Sequence, residues 1–525
     1  MKKFINKIKN NKVLSILSVL IIGLFFILVT RITYAYLAPV INDAQTNVVG
    51  STDTVDDFKF ELGNPLKINA TPTTLKENGS NYTTNTTAKA LLKANSTKKT
   101  ATFNYYVYFQ IKSNTFTYSD GSTPEIILTV TNPNGDEITS IEGLTYGTFN
   151  GVSGFDITTK KGLFNIANNH EITSNSSTTY TTQSWTIKIT YLNLSIDQST
   201  NFGNSMDVNV YITKNEKKLT VADVCSSEQT LSSCIIAMDG KDDTLYHHTS
   251  SLANGAGDNS YRYAGPSNTT NNFVCFGSDE ATCPTDNLYR IIGVIDNKVK
   301  LIKYDYATSD LLGTDGDYQG TGTPDSTYKG SQSSIYRYYW NYKAANSSSN
   351  AWSTSLLNKI NLNTNYLNNI GATWSNLIED ATWKVGGHST YSVTPSEMYT
   401  REITNSTKTY GPSDGTSKIG LMYASDNGFA ASPSAWTTKL SYYGGTDANG
   451  TSITTINWMY MGCYEWTMTP YSSNSFNMFV LISDGNLGYS AAGNGFGIRP
   501  VLYLKSSVLY AGGSGTKDSP IALVV

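Results

Sequence analysis

Hydrophobic and polar positions alternate with a period of two along four stretches of the first 213 residues. In ATFNYYVYFQIK (101–112), Phe103, Tyr105, Val107, Phe109 and Ile111 fall on one face, with Asn104, Gln110 and Lys112 on the other. That is the pattern of a half-buried strand. It recurs at Ile126, Leu128 and Val130, at Trp185, Ile187, Ile189 and Tyr191, and at Met206, Val208, Val210 and Ile212. Turns rich in Gly, Asn and Pro, such as NPNG (132–135), separate the strands and predict an antiparallel β-sandwich ending near Thr213. Residues 37 to about 100 are polar and rich in Thr and Asn, with short apolar pieces such as FKFELG.

Past a charged connector, KNEKKLTVA (214–222), the pattern changes. NLYRIIGV and KVKLIKYD, joined through Asp296 and Asn297, predict a hairpin. A Gly/Asp/Ser-rich loop follows from Ser309 to about Ser334, and two short helices are predicted, starting near Ser353 and near Thr373. Loops and brief strands, including KIGLMY and RPVLYL, complete an α+β domain. Long loops in an ordered domain suggest a working surface.

The N-terminus carries a different signal. Lys2, Lys3, Lys7, Lys9 and Lys12 precede the uncharged run Val13–Thr30, which as a helix would be about 27 Å long against a hydrocarbon core of about 30 Å. The positive flank keeps residues 1–12 in the cytoplasm and exports the chain beyond Arg31. Retention as a membrane anchor through residues 13–30 and cleavage near Ala35, after TYA (33–35), both remain open. The predicted organisation is a signal or anchor segment (1–36), a β-sandwich (37–213), a linker (214–222) and a second domain (223–525).

Composition narrows the function classes. A chain of 525 residues has room for two or three domains. With 38 Lys+Arg against 41 Asp+Glu it lacks the basic field that nucleic acid requires. Five cysteines suit export: Cys225 with Cys234 and Cys275 with Cys283 suggest two local disulfides, with Cys463 left over. Zinc is the competing reading, but neither spacing is CxxC, and His170, His247, His248 and His388 complete no ligand pattern. Calcium stands as an alternative to solvated turns at Asp239, Asp242 and Asp243 and at Asp315 and Asp317, although neither segment is a full EF-hand loop. No other cofactor is implied.

Catalytic motifs are incomplete. His170 and Glu171 open HEITS, but Ser174 stands where HExxH needs its second histidine. Gly411 to Gly415 matches GxSxG without the strand and helix of a nucleophile elbow. Cys463 reads as a small buried side chain beside Trp458 and Trp466. No catalysis is implied by these residues.

Two resemblances add to this reading. The Lys-rich apolar segment ending in TYAYL is similar to the start of the TasA and camelysin group of exported bacterial proteins, which implies a jelly-roll sandwich; Arg31, between the apolar run and TYA, departs from that group's pattern. Across residues 287–504, NLYRIIGVIDNKVKLIKYDYA, YYWN, WSTSLLNKINLNTNYLNNI, ATWKVGG, KIGLMYASDNGFAASPSAW, NWMYMGCYEWTMTP, SDGNLGY and GIRPVLYL resemble a bacterial family of extracellular domains. That family is similar to the formylglycine-generating-enzyme variant of the C-type lectin fold, in which some members carry diversified residues near the C-terminus. The enzyme itself needs two active-site cysteines near the end of its fold, where this chain has Cys463 alone.

The resemblance gives the segment Glu465–Pro500 a framed character. Trp466 would sit in the core, Arg499 would pair with a carboxylate or carbonyls, and Tyr471 to Asn494 would form the exposed recognition surface. Expected contacts are Tyr471, Ser473, Asn474, Phe476, Asn477, Asn486, Tyr489 and Asn494, a Tyr/Ser/Asn mixture like that of antibody paratopes. The plainer alternative is a polar loop and hairpin closing the domain, with SDGN (483–486) as an ordinary turn. The expected function is adhesin-like: a ligand-binding protein on the extracellular face of the bacterial membrane, or secreted, meeting a protein or glycan on another surface. The alternative is a fibre or matrix subunit that self-assembles through strand donation from the sandwich.

Overall fold

The computed structural model describes residues 56–71, 80–225, 228–405 and 414–525. The apolar run 13–30 and the cleavage position near Ala35 lie outside them. Among the described residues no helix is long and apolar enough to cross a membrane. The chain divides into two compact units at Lys217 and Lys218, inside the charged connector.

The first unit is all antiparallel sheet. Its strands are β1 (Asp57–Leu62), β2 (Leu66–Asn69), β3 (Tyr82–Lys93), β4 (Ala101–Asn114), β5 (Ile126–Thr131), β6 (Thr145–Phe149), β7 (Val152–Asp156), β8 (Gly162–Ser174), β9 (Thr181–Tyr191) and β10 (Ser205–Thr213). They form two sheets, β1-β3-β9-β5-β7-β6 and β2-β10-β4-β8. One core lies between them, built from the residues the alternation places inside: Tyr105, Val107, Phe109, Ile111, Leu128, Trp185, Ile187 and Met206 among others. Gln110, which alternation places on the polar face, is buried as well, because its Oε1 accepts a 2.6 Å hydrogen bond from the Tyr211 hydroxyl of β10.

The second unit mixes sheets, helical turns and long loops. In chain order its strands are β11 (Leu245–His248), β12 (Ser260–Tyr263), β13 (Phe273–Cys275), β14 (Leu288–Ile295), β15 (Lys298–Lys303), β16 (Tyr318–Gly322), β17 (Ile335–Tyr339), β18 (Ala381–Lys384), β19 (Asp414–Ser417), β20 (Ile419–Gly420), β21 (Glu465–Pro470), β22 (Asn477–Leu481), β23 (Leu487–Ala491), β24 (Gly495–Phe496) and β25 (Val501–Tyr503). The main sheet runs β11-β12-β14-β15-β25-β20, with β13 also on β14. Smaller sheets are β16-β17-β24, β18-β19, β21-β22-β23 and a C-terminal pair, β26 (Tyr510–Gly512) with β27 (Ala522–Leu523). The β14–β15 hairpin turns on Asp296 and Asn297, both with positive φ (49° and 60°), the backbone a two-residue type I′ turn requires. Cys225–Cys234 and Cys275–Cys283 are disulfide-bonded.

The two expected helices are present with shifted bounds. Helical structure spans Leu357–Tyr366 and Leu367–Ser375, and Gly371 (φ 80°, ψ 164°) divides it into a longer first helix, beginning a few residues after Ser353, and a short second one beside Thr373. The start is set by Asp317, whose Oδ2 accepts from the amides of Leu356 and Leu357, both at 3.0 Å. The segment after Thr373 leaves the helix within three residues and becomes β18.

Candidate recognition surface

The frame around residues 471–494 is fixed from both ends. Arg499 donates from Nε to Glu465 Oε1 (2.8 Å) and from Nη2 to Glu465 Oε2 (2.9 Å), and Nη2 also reaches the Met459 carbonyl at 2.8 Å. Both side chains are buried, so the pair is charge-assisted, bidentate and shielded from water. Burial holds the Glu465 carboxyl above its ordinary range, with the guanidinium opposing it. Trp466 is fully buried, donates Nε1–H to the Tyr338 carbonyl at 2.8 Å and meets Phe496 edge-on at 4.7 Å.

From that frame β21, β22 and β23 form a three-stranded sheet in which Phe479 opposes Tyr489. Every residue of β22 is buried. Asn477 is therefore an inward position: its amide donates to Asn474 Oδ1 and its carbonyl accepts from Tyr471. Asn486 is also occupied, since Oδ1 accepts from the Gly444 amide (2.8 Å) and Nδ2 donates to Asp484 (2.9 Å). Asn474 accepts from the amides of Phe476 and Asn477 and so shapes its own turn. Asn474 and Asn486 thus have loop-shaping hydrogen bonds of their own, as short Asn side chains capture nearby backbone amides, and Asn477 is held in the buried strand through its backbone.

The remaining expected residues do face solvent or its edge. Tyr489 is 47 % exposed and Phe476 46 % exposed; Ser473 and Asn494 are exposed, and Tyr471 is half-buried. Tyr471 and Tyr489 lie face to face, with centroids 4.5 Å apart and planes 6° apart. The edge of Phe479 supports Tyr471 from the core at 5.6 Å. Such ring pairs contribute about 0.5–1.5 kcal/mol beyond area burial, which favours the stacked arrangement.

A third ring comes from a distant loop. Tyr391, 37 % exposed, lies 5.9 Å from Tyr489. Its loop is tied to the surface by the Ser472 amide, which donates to the His388 carbonyl at 3.0 Å, and by the Ser473 hydroxyl, which donates to the Ser389 carbonyl at 3.4 Å. His388 Nδ1 accepts from the Thr390 amide, and partial burial lowers its basicity. Tyr391 was missed by sequence reasoning; only the Gly/Ser/Thr-rich composition around it hinted at an ordered loop. The result is a tyrosine slab edged by hydroxyls, suited to stacking against a flat apolar or CH-rich face.

Other candidate chemistry is placed as follows. Cys463 is buried with Tyr306, Ile335 and Met461, a cluster separate from the core holding Trp458 and Trp466, and burial pushes its thiol up to about 11. It is not an activated nucleophile. His170 lies on β8 with its ring against Tyr105 and Trp185. Gly411 to Ser413 lie outside the described residues. Of the acidic turns, Asp317 gives both oxygens to backbone amides, Asp315 accepts from Asn365, Asp242 from Thr244, and Asp243 pairs with Lys218. Among the described residues no group of three or more His, Cys, Asp or Glu side chains could hold a metal ion. Comparison with known proteins finds no matching family model, curated protein or solved structure.

Proposed function

We propose that the chain is a ligand-binding protein of the bacterial cell surface whose second unit presents a recognition surface. The observation that carries this reading is the Tyr391–Tyr489–Tyr471 slab, held exposed by a buried frame. Exposed aromatic rings that are already ordered present contact area at low entropic cost on binding. The two disulfides favour an oxidising, extracellular compartment. In this reading the second unit is a C-type-lectin-like head, the first a jelly-roll-like sandwich that carries it, and residues 13–30 the attachment to the membrane, before or without cleavage near Ala35. The partner is a protein or glycan on another surface. Probing protein and glycan arrays with the chain and with a Tyr391→Ala/Tyr489→Ala variant tests it: a ligand held by the first and lost by the second supports the reading, and arrays that the folded chain leaves blank count against it.

A structural role is the second reading. β8, with 13 residues, ends its sheet and is paired only with β4 among the described residues, so it offers an edge to an added strand. Concentration-dependent fibres from residues 37–213 favour that role; a fragment that folds and stays monomeric counts against it.

A further inference from the structure

A cavity of about 240 Å³ opens in the second unit, lined by Thr323, Asp325, Ile335, Arg337, Cys463, Tyr464, Phe496 and Gly497. None of the eight contacts expected from the sequence lines it. Its volume lies below the range of about 300–1,000 Å³ usual for drug-sized ligands, which limits an occupant to a small metabolite.

The positive charge on its wall has no side-chain partner among the described residues. Arg337 projects from β17 and lies over the backbone of β16 at Gly322, where a Cβ would come within 2.2 Å of its Cζ. Glycine at 322 is what lets the guanidinium lie there. Among the described residues the Arg337 guanidinium forms no hydrogen bond or ion pair, although Asp325 lines the same cavity. Guanidinium groups set beside a cleft without a carboxylate partner are the usual means of gripping a ligand carboxylate in two-pronged fashion. Asp325 is exposed in a loop and offers an acceptor to a cation.

The apolar side of the cavity is a built platform. Phe496 is fixed edge-on by Trp466, and Tyr464 lies stacked on Phe496 at 5.3 Å and 21°. Tyr464 is 38 % exposed, so a further ring could continue the stack. The floor is the neutral, buried Cys463 thiol. One positive group, one negative group and an aromatic wall match one ligand class.

We propose that this cavity binds a small aromatic zwitterion, an aromatic α-amino acid, with Arg337 on the carboxylate, Asp325 on the ammonium and the Tyr464–Phe496 pair against the ring. The site is independent of the tyrosine slab and of the function proposed for it.

The test is calorimetric titration of the full chain with L-phenylalanine, N-acetyl-L-phenylalanine and L-phenylalaninamide. Saturable binding of L-phenylalanine is expected. It should weaken by about tenfold or more for the amide and for Arg337→Gln, and likewise for the N-acetyl form and for Asp325→Asn, as loss of one charge-assisted hydrogen bond implies. Circular dichroism of both variants, whose altered side chains are not buried, checks that the fold is kept. Absence of saturable binding to L-phenylalanine overturns the proposal, as does binding that neither variant changes. Equal affinity for the N-acetyl form overturns it in favour of a plain carboxylate site.

Discussion

Glu402 should make the second unit lose stability as the pH rises toward neutrality. Its side chain is fully buried in a helical turn, Thr400–Thr404. Oε1 accepts from the Thr469 hydroxyl and, at 3.4 Å, from the Ser425 amide, while Oε2 is buried without a partner. Burial pushes the carboxyl up from 4.5 to about 7, helped by nearby Asp426. A carboxyl raised in the fold binds its proton more tightly there than in the unfolded chain. Its contribution is therefore complete below about pH 4.5 and is lost as pH rises through about 7. At about 1.4 kcal/mol per pH unit the loss is about 3 kcal/mol.

The perturbation is Glu402→Gln, which keeps the shape and removes the titration. Urea unfolding should be followed by tryptophan fluorescence at a series of pH values; seven of the eight tryptophans, all but Trp185, report the second unit. The raw profile mixes opposing effects, because burial lowers His248 to about 3 and that imidazole favours the fold increasingly as pH rises toward 6.5. Subtracting the variant from the native protein isolates Glu402. The native-minus-variant stability should fall by about 3 kcal/mol between pH 4.5 and 8. A difference that stays flat, or rises with pH, refutes the reasoning.

Other predictions concern the frame and the loops. Glu465→Gln leaves the Arg499 guanidinium buried without its anion and should lower stability by about 3–5 kcal/mol in urea titrations. Replacing Cys275 and Cys283 together by Ser should lower it by about 2–3 kcal/mol, the value for a loop of this length. Asn486→Ala should reduce the thermal midpoint, through about 1 kcal/mol of lost hydrogen bonding, while leaving ligand affinity unchanged; a variant with native stability and impaired binding would contradict its assignment as a loop-forming group.

The parts of this fold that could be read from sequence are those whose signal is local. Period-two alternation marked β4, β5, β9 and β10 because each has one face on the core, and Asp296–Asn297 marked a hairpin because both tolerate positive φ. The close cysteine pairs needed no long-range information. What local signals left out was decided by tertiary partners. Composition made Asn474 and Asn486 resemble contact residues, and only the backbone amides they accept show that they also shape the loop. The helical run begins where Asp317, some forty residues earlier, supplies its cap. Tyr391 joins Tyr489 across nearly a hundred positions through loop-to-loop hydrogen bonds that no periodicity encodes. Arg337 and Phe496 likewise meet only because β17 pairs with β24.

The most direct test of the central claim measures ligand affinity for Tyr391→Ala, Tyr471→Ala and Tyr489→Ala beside Tyr82→Ala, an exposed tyrosine of the first unit. Each slab substitution should weaken binding by about tenfold or more, as loss of an aromatic anchor does, and the control should not. Affinity unchanged by all three, with the fold intact, would contradict recognition through the tyrosine slab.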